Sequence, residues 1–174
     1  PSEALNTSQN IQNKANQEAI GVWQGSKDDG AKAVTWELKK DAADQMWIPQ
    51  YQDDGSYLLK NYNSDMVLTV KEDGTLMQSA QITDGSDAIE AQRFIIEKAG
   101  SDGYCTIKSR QNGKYLSTSN AANELILSDT GVADAQMWSF LKVSDGGTDF
   151  VPEEKKEYTI TAFSSKGGSI DPSG

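Results

Sequence analysis

Ala135-Gln136-Met137-Trp138 has two earlier counterparts in the chain, Asp44-Gln45-Met46-Trp47 and Ala91-Gln92-Arg93-Phe94. Each is a Gln, a spacer and an aromatic ring. Each closes a segment that opens with an alternating strand and passes through a turn rich in Gly, Asn and Asp. Gln45 to Gln92 is 47 residues and Gln92 to Gln136 is 44. Self-similarity at a period of this size marks a repeat architecture, and other landmarks keep it. Ile11, Leu59 and Ile107 stand 48 and 48 apart, as do Ile20, Leu68 and Leu116 nine residues further on. Lys60 and Lys108 follow their landmarks at the same offset. Three copies agreeing at both ends of the unit exclude a fold without internal symmetry.

The units span residues 11–52, 53–99 and 100–144, and short alternating stretches within them read as strands. In the first unit these are Ala19-Ile20-Gly21-Val22-Trp23 and Ala33-Val34-Thr35-Trp36-Glu37-Leu38, separated by the turn cluster Lys27-Asp28-Asp29-Gly30. In the second, Met66-Val67-Leu68-Thr69-Val70 and Thr75-Leu76-Met77-Gln78 flank Glu72-Asp73-Gly74, a hairpin signal. The third repeats the plan with Lys114-Tyr115-Leu116-Ser117 and Leu125-Ile126-Leu127. Helix is expected only as single turns ahead of the motif, in 81–91 and 130–136. The expected fold class is all-β, with three hairpins closing around a pseudo-threefold axis so that short strands share one core and leave few edges open. Gln45, Gln92 and Gln136 carry amides able to tie down the turn before the last strand. Trp47, Phe94 and Trp138 then fill the core.

With 174 residues the chain is long enough for one full core plus a tail. Its net charge of -10, from 26 acidic against 16 basic residues, repels nucleic-acid phosphates and anionic lipid, so neither is an expected partner. No run approaches the ~18–20 apolar residues of a membrane span. The absence of histidine removes His-based acid–base chemistry and most zinc sites, and no cofactor or metal is expected. The single Cys105 reads as a small packing residue in a strand.

Residues 1–10 read as a lead-in. Beyond Val143 the composition changes, and 145–157 reads as a linker, flexible and then charged. A fresh strand signal begins at Tyr158-Thr159-Ile160-Thr161-Ala162-Phe163, so 158–174 is expected to open a further β-rich domain. The chain starts at Pro1 rather than Met, and is expected to be part of a longer protein.

The threefold Gln-x-aromatic spacing, Gln45-Met46-Trp47, Gln92-Arg93-Phe94 and Gln136-Met137-Trp138, resembles the ricin B-chain-like lectins. The resemblance covers about residues 5–144. It implies a β-trefoil acting as a non-catalytic carbohydrate-binding module of a secreted bacterial enzyme or surface protein, extracellular or at the cell surface. The implied partners are a glycan, with a galactose-type sugar among the candidates, and covalently linked neighbouring domains. Residues 158–174 resemble the start of an internalin-type B-repeat, through Tyr158-Thr159-Ile160-Thr161-Ala162 and Gly167-Gly168-Ser169-Ile170.

In galactose-binding members of the family an Asp follows the Leu of the second strand; the matching positions here are Gly21, Thr69 and Ser117. An aromatic near the end of the third strand stacks on the sugar; the matching positions are read as Glu37, Ser79 and Ser128, with Trp36 turned to the core. Of the residues before the motif Gln, Asp44 keeps the family's hydroxyl-bonding group and Ala91 and Ala135 do not. The first unit is therefore the expected site, with Trp23 stacking, Asp44 and Gln45 bonding hydroxyls, and Glu37 at the strand end. For Trp23 the alternative is a ring lying over the end of the barrel, and for Asp44 a turn-capping role. Tyr62 with Asn63, and Asn112 with Tyr115, read as surface decoration. The adjacent carboxylates Asp28/Asp29, Asp53/Asp54 and Glu153/Glu154 imply no cleft of the kind a glycosidase needs, and Asp28/Asp29 offer too few oxygens for calcium. A trefoil that has lost sugar binding and serves as a structural or protein-docking module is the competing reading.

Overall fold

The structure, a computed structural model, describes residues 3–100 and 102–154. The expected opening of a further domain at 158–174 lies outside the described residues. After a single helical turn, Glu3–Asn6, the first unit carries β1 (Gln9–Asn13), β2 (Glu18–Val22), β3 (Ala33–Glu37) and β4 (Trp47–Tyr51). The second carries β5 (Tyr57–Asn61), β6 (Val67–Val70), β7 (Leu76–Ser79) and β8 (Phe94–Lys98). The third carries β9 (Tyr104–Ser109), β10 (Tyr115–Thr118), β11 (Leu125–Ser128) and β12 (Trp138–Lys142).

Antiparallel pairing runs from β12 to β1, β4, β5, β8 and β9, then back to β12, closing a six-stranded barrel. The remaining strands form the hairpins β2–β3, β6–β7 and β10–β11, each attached to the first strand of its own unit. This is the β-trefoil. Closure leaves the barrel no unpaired edge.

The periodic landmarks are the core. Ile11, Leu59 and Ile107 are fully buried in the barrel wall, and Ile20, Leu68 and Leu116 are fully buried in the hairpins. Trp47, Phe94 and Trp138 are likewise sealed from solvent. Trp47 Nε1–H donates to the Ile20 carbonyl at 2.9 Å and Trp138 Nε1–H to the Leu116 carbonyl at 3.0 Å. Phe94 fills the same volume without a donor.

A 3-10 turn precedes each ring, at Ala43–Gln45, Asp87–Gln92 and Asp134–Gln136. The motif glutamines are buried, and each bridges segments that no ladder joins. Gln45 Oε1 accepts the Lys39 N–H at 2.9 Å while its Nε2 donates to the Glu37 carbonyl at 3.0 Å. Gln92 does the same for Ile82 and Ala80, and Gln136 spans the Ala133 N–H and the Ser117 hydroxyl. Each amide stands in for a missing backbone partner, which a buried polar backbone requires. At the Glu72-Asp73-Gly74 turn, Gly74 takes φ 86°, the left-handed conformation that glycine adopts without strain.

Phe150 and Pro152, beyond the last strand, pack against the barrel. The Phe150 ring stacks on Phe140 with centroids 4.5 Å apart and packs on Tyr57 at 6.1 Å, and Tyr57 in turn meets Tyr51 at 5.3 Å. Tyr57 Oη accepts the Glu153 N–H at 2.7 Å, and Pro152 is buried. Burial raises the Tyr57 pKa above its ordinary value.

The pairing corrects the reading of β3. Ile20 faces Thr35, Leu68 faces Gln78 and Leu116 faces Leu127. The residue matching Ser79 and Ser128 is therefore Trp36, not Glu37. Side chains alternate along a strand, so Thr35 shares the core face with Ile20, and Trp36 and Val34 share the other face with Gly21. Trp36 is 39% exposed, so it is not a core residue. The cause is the connection: residues 23–32 separate β2 from β3, whereas only 71–75 separate β6 from β7.

Candidate functional site

A cleft of about 350 Å3 opens on the outer face of the β2–β3 hairpin. Trp23 and Trp36 form one wall, with ring centroids 6.1 Å apart at 71°, edge to face. Val34 supplies apolar floor, and Lys39, Ala42, Asp44 and Gln45 complete the lining. Trp23 is 48% exposed and lines the cleft.

Asp44 is half-buried, and its Oδ2 accepts the Val22 N–H at 3.1 Å. A Cβ built on Gly21 would lie 2.9 Å from Asp44 Oδ2 and 3.1 Å from Gln45 Cγ. The space a side chain at 21 would fill thus holds the carboxylate of Asp44. This lobe keeps an acid at the second strand, delivered from the 3-10 turn instead of from the strand itself. The Val22 N–H it accepts belongs to the end of β2, so Asp44 ties its 3-10 turn to the second strand.

The loop that carries Trp23 is fixed from the second unit. Gln78, fully buried, donates from Nε2 to the carbonyls of Ser26 and Asp28 at 3.0 and 2.9 Å. Asn63 Nδ2 donates to the Gly25 carbonyl, and the Asp29 carboxylate accepts from the Ser79 hydroxyl and the Ala80 N–H. Gln24 and Gly25 both take left-handed φ, 56° and 65°, and this reversal turns the chain sharply beside Trp23.

Among the sequence-selected residues, the cleft brings together Trp23, Asp44 and Gln45. Gln45 is only 3% exposed, and its amide is engaged by Lys39 and Glu37, so its part is to hold the loop in place. The Glu37 side chain does not line the cleft; Trp36 stands in the position assigned to it. Gln24, Val34 and Lys39 had no signal of their own.

The other two lobes have turned the equivalent hydroxyls inward. Thr69 Oγ1 donates to the Val67 carbonyl and accepts from Gln92 Nε2 at 3.2 Å. Ser117 Oγ donates to the Thr118 carbonyl and accepts from Gln136 Nε2. In the third lobe the Tyr115 ring lies so close to Gly131 that a Cβ there would meet it at 2.7 Å. Asn112 caps a turn through Lys114 N–H. Asp54 is held by Arg93 and Arg110 at 2.8 and 2.6 Å; burial pushes its pKa up, but the Ser56 hydrogen bonds and the two guanidiniums outweigh that and leave it lowered. Among the described residues no three His, Cys, Asp or Glu side chains gather where they could hold a metal.

Residues 4–83 match the family model for the ricin-type beta-trefoil lectin domain-like family. A designed 3-fold symmetric protein, ThreeFoil, is 24% identical with a TM-score of 0.68, over 77% of this chain and 97% of that one. An exo-beta-1,3-galactanase from Clostridium thermocellum, 1,3Gal43A, is 26% identical with a TM-score of 0.65, over 77% of this chain and 30% of that one. The C-half of the earthworm R-type lectin, in complex with GalNAc, is 13% identical with a TM-score of 0.58, over 77% of this chain and 97% of that one. No curated protein matches the chain.

Proposed function

We propose that this chain, a β-trefoil whose residues 4–83 match the ricin-type beta-trefoil lectin domain-like model, is a non-catalytic carbohydrate-binding module that holds a larger secreted bacterial protein against glycan, outside the cell or on its surface. The observation that carries the reading is one cleft in which two half-exposed indoles meet a fixed carboxylate. A pyranose has an apolar face of C–H groups and a rim of hydroxyls. An exposed indole matches the first, and an anchored carboxylate accepts from the second. Trp23 and Trp36 stack, Asp44 accepts sugar hydroxyls, and Gln45 holds the turn that presents Asp44. The likeness to a lectin bound to GalNAc and to an exo-beta-1,3-galactanase makes galactose-type sugars the first to test.

A single open cleft of this kind binds at about millimolar strength, roughly -4 kcal/mol. Neighbouring modules in one chain then raise the working affinity through effective concentration. A glycan array followed by isothermal titration tests the reading, with Trp23→Ala and Asp44→Ala each expected to remove binding. Binding untouched by both substitutions would move the site elsewhere on the molecule.

The loss of an acid at 69 and 117 in two lobes favours a second reading, a trefoil whose indole pair docks a protein. An array silent at millimolar protein decides for it.

A further inference from the structure

We infer that the first-unit cleft is one half of a longer groove, whose ligand is an uncharged oligosaccharide of two or more sugar units that crosses the Trp23–Trp36 pair onto the β10–β11 turn. This deepens, and rests on, the carbohydrate-binding reading. A second cleft, of about 490 Å3, lies on the other side of the same indoles. Trp23, Val34 and Trp36 line both clefts, and the far wall of the second is residues 121–124 of the third unit. The two rings stand at 71° to each other, so their open faces point in different directions and one pyranose stacks on only one of them. Two such faces between two clefts suit consecutive units of one chain.

The far wall is anchored to the first unit. Asn123 Nδ2 donates to the Thr35 carbonyl at 3.0 Å, across 88 residues of sequence. Glu124 Oε1 accepts the Ser119 hydroxyl at 2.5 Å, and the same hydroxyl accepts the Ala121 N–H at 3.0 Å. A held carboxylate therefore faces the second cleft, as Asp44 does the first. Charge supports an uncharged ligand: Asp44 is matched by Lys39 in one cleft, and Glu124 by Lys32 in the other. Recognition of an acidic glycan would call for cations in excess of carboxylates, in a chain whose net charge is already -10.

Isothermal titration of the intact chain with galactose, β-1,3-galactobiose and β-1,3-galactotriose, and in parallel with glucose, cellobiose and cellotriose, tests the groove. In one series the disaccharide should bind roughly tenfold more tightly than the monosaccharide, equivalent to about 1.4 kcal/mol. Asn123→Ala and Glu124→Gln should bring that ratio down to about one. Ala122→Arg, on the exposed turn, should do the same by filling the second cleft, and guards against a loosened turn in the other two variants. Equal affinity for every length, or a ratio that survives all three substitutions, would overturn the longer groove and leave a single-sugar module. Silence in both series would overturn the groove together with the reading beneath it.

Discussion

Placing an Asp at position 21, where galactose-binding relatives of this fold are expected to have one, should damage this lobe. The Cβ alone would stand 2.9 Å from Asp44 Oδ2, and the new carboxylate would add a like charge at contact range. At an effective dielectric of about 20, two unit charges 4 Å apart repel by about 4 kcal/mol. Screening in an open cleft trims this to about 2–3 kcal/mol. For a chain of this size that lowers the melting midpoint by roughly 5–10 °C. The repulsion needs both carboxylates ionised, so it is lost well below the ordinary aspartate range of about 3.9 and complete at neutral pH. Gly21→Asp should therefore melt early at pH 7 and recover the electrostatic part of the loss near pH 3, keeping the cost of displacing the Asp44 carboxylate from its place against Val22 N–H. The double variant Gly21→Asp with Asp44→Ala vacates the contested space; it should recover most of the lost stability and regain sugar binding beyond that of Asp44→Ala alone. Thermal melts at both pH values and titration with the best glycan on the array read all three. A Gly21→Asp chain as stable as wild type at pH 7, or a double variant no better than the single ones, would refute the idea that Asp44 occupies the place of the missing side chain.

Gln92→Leu leaves the Ile82 N–H and Ala80 carbonyl without their side-chain partner and should cost about 2–4 kcal/mol by chemical denaturation, with sugar binding retained because the lobe carries no cleft of this kind. Trp138→Phe, which leaves the Leu116 carbonyl unmatched, should cost about 1–3 kcal/mol in the same assay. Phe150→Ala removes a ring stacked on Phe140 and should cost about 1–3 kcal/mol. Burial pushes the Cys105 thiol up to about 11, against a small opposing pull from Lys98. Native protein at pH 8 should therefore resist iodoacetamide until denaturant is added, and stability should fall as pH rises from about 9 towards 11, because the unfolded chain gives up that proton first.

The barrel was legible because its determinants are local and periodic. Ile11, Leu59 and Ile107, and the three Gln-x-aromatic motifs, each mark one strand, and threefold agreement removed the ambiguity of any single match. The register of β3 was not legible. Trp36 and Glu37 are adjacent, and which of them faces the cleft depends on how residues 23–32 loop back, which Gln78 and Asn63 of another unit decide. Asp44 was found from its place before Gln45, but its reach into the space at Gly21 is a fact of three-dimensional packing. The wall at 121–124 carried no sequence signal. Its relevance comes from Asn123 meeting Thr35, and no reading confined to one unit brings them together.

Phe150 also gives the chain a mechanical order of events. A pull exerted at residue 154 meets in turn one hydrogen bond to a phenol, the buried Pro152 and a ring packed on Phe140 and Tyr57. The six-stranded wall carries load only after that plug has been drawn. Shear arriving from that side would thus be taken up by this small element before it could open the lobe where Trp23 and Trp36 stand.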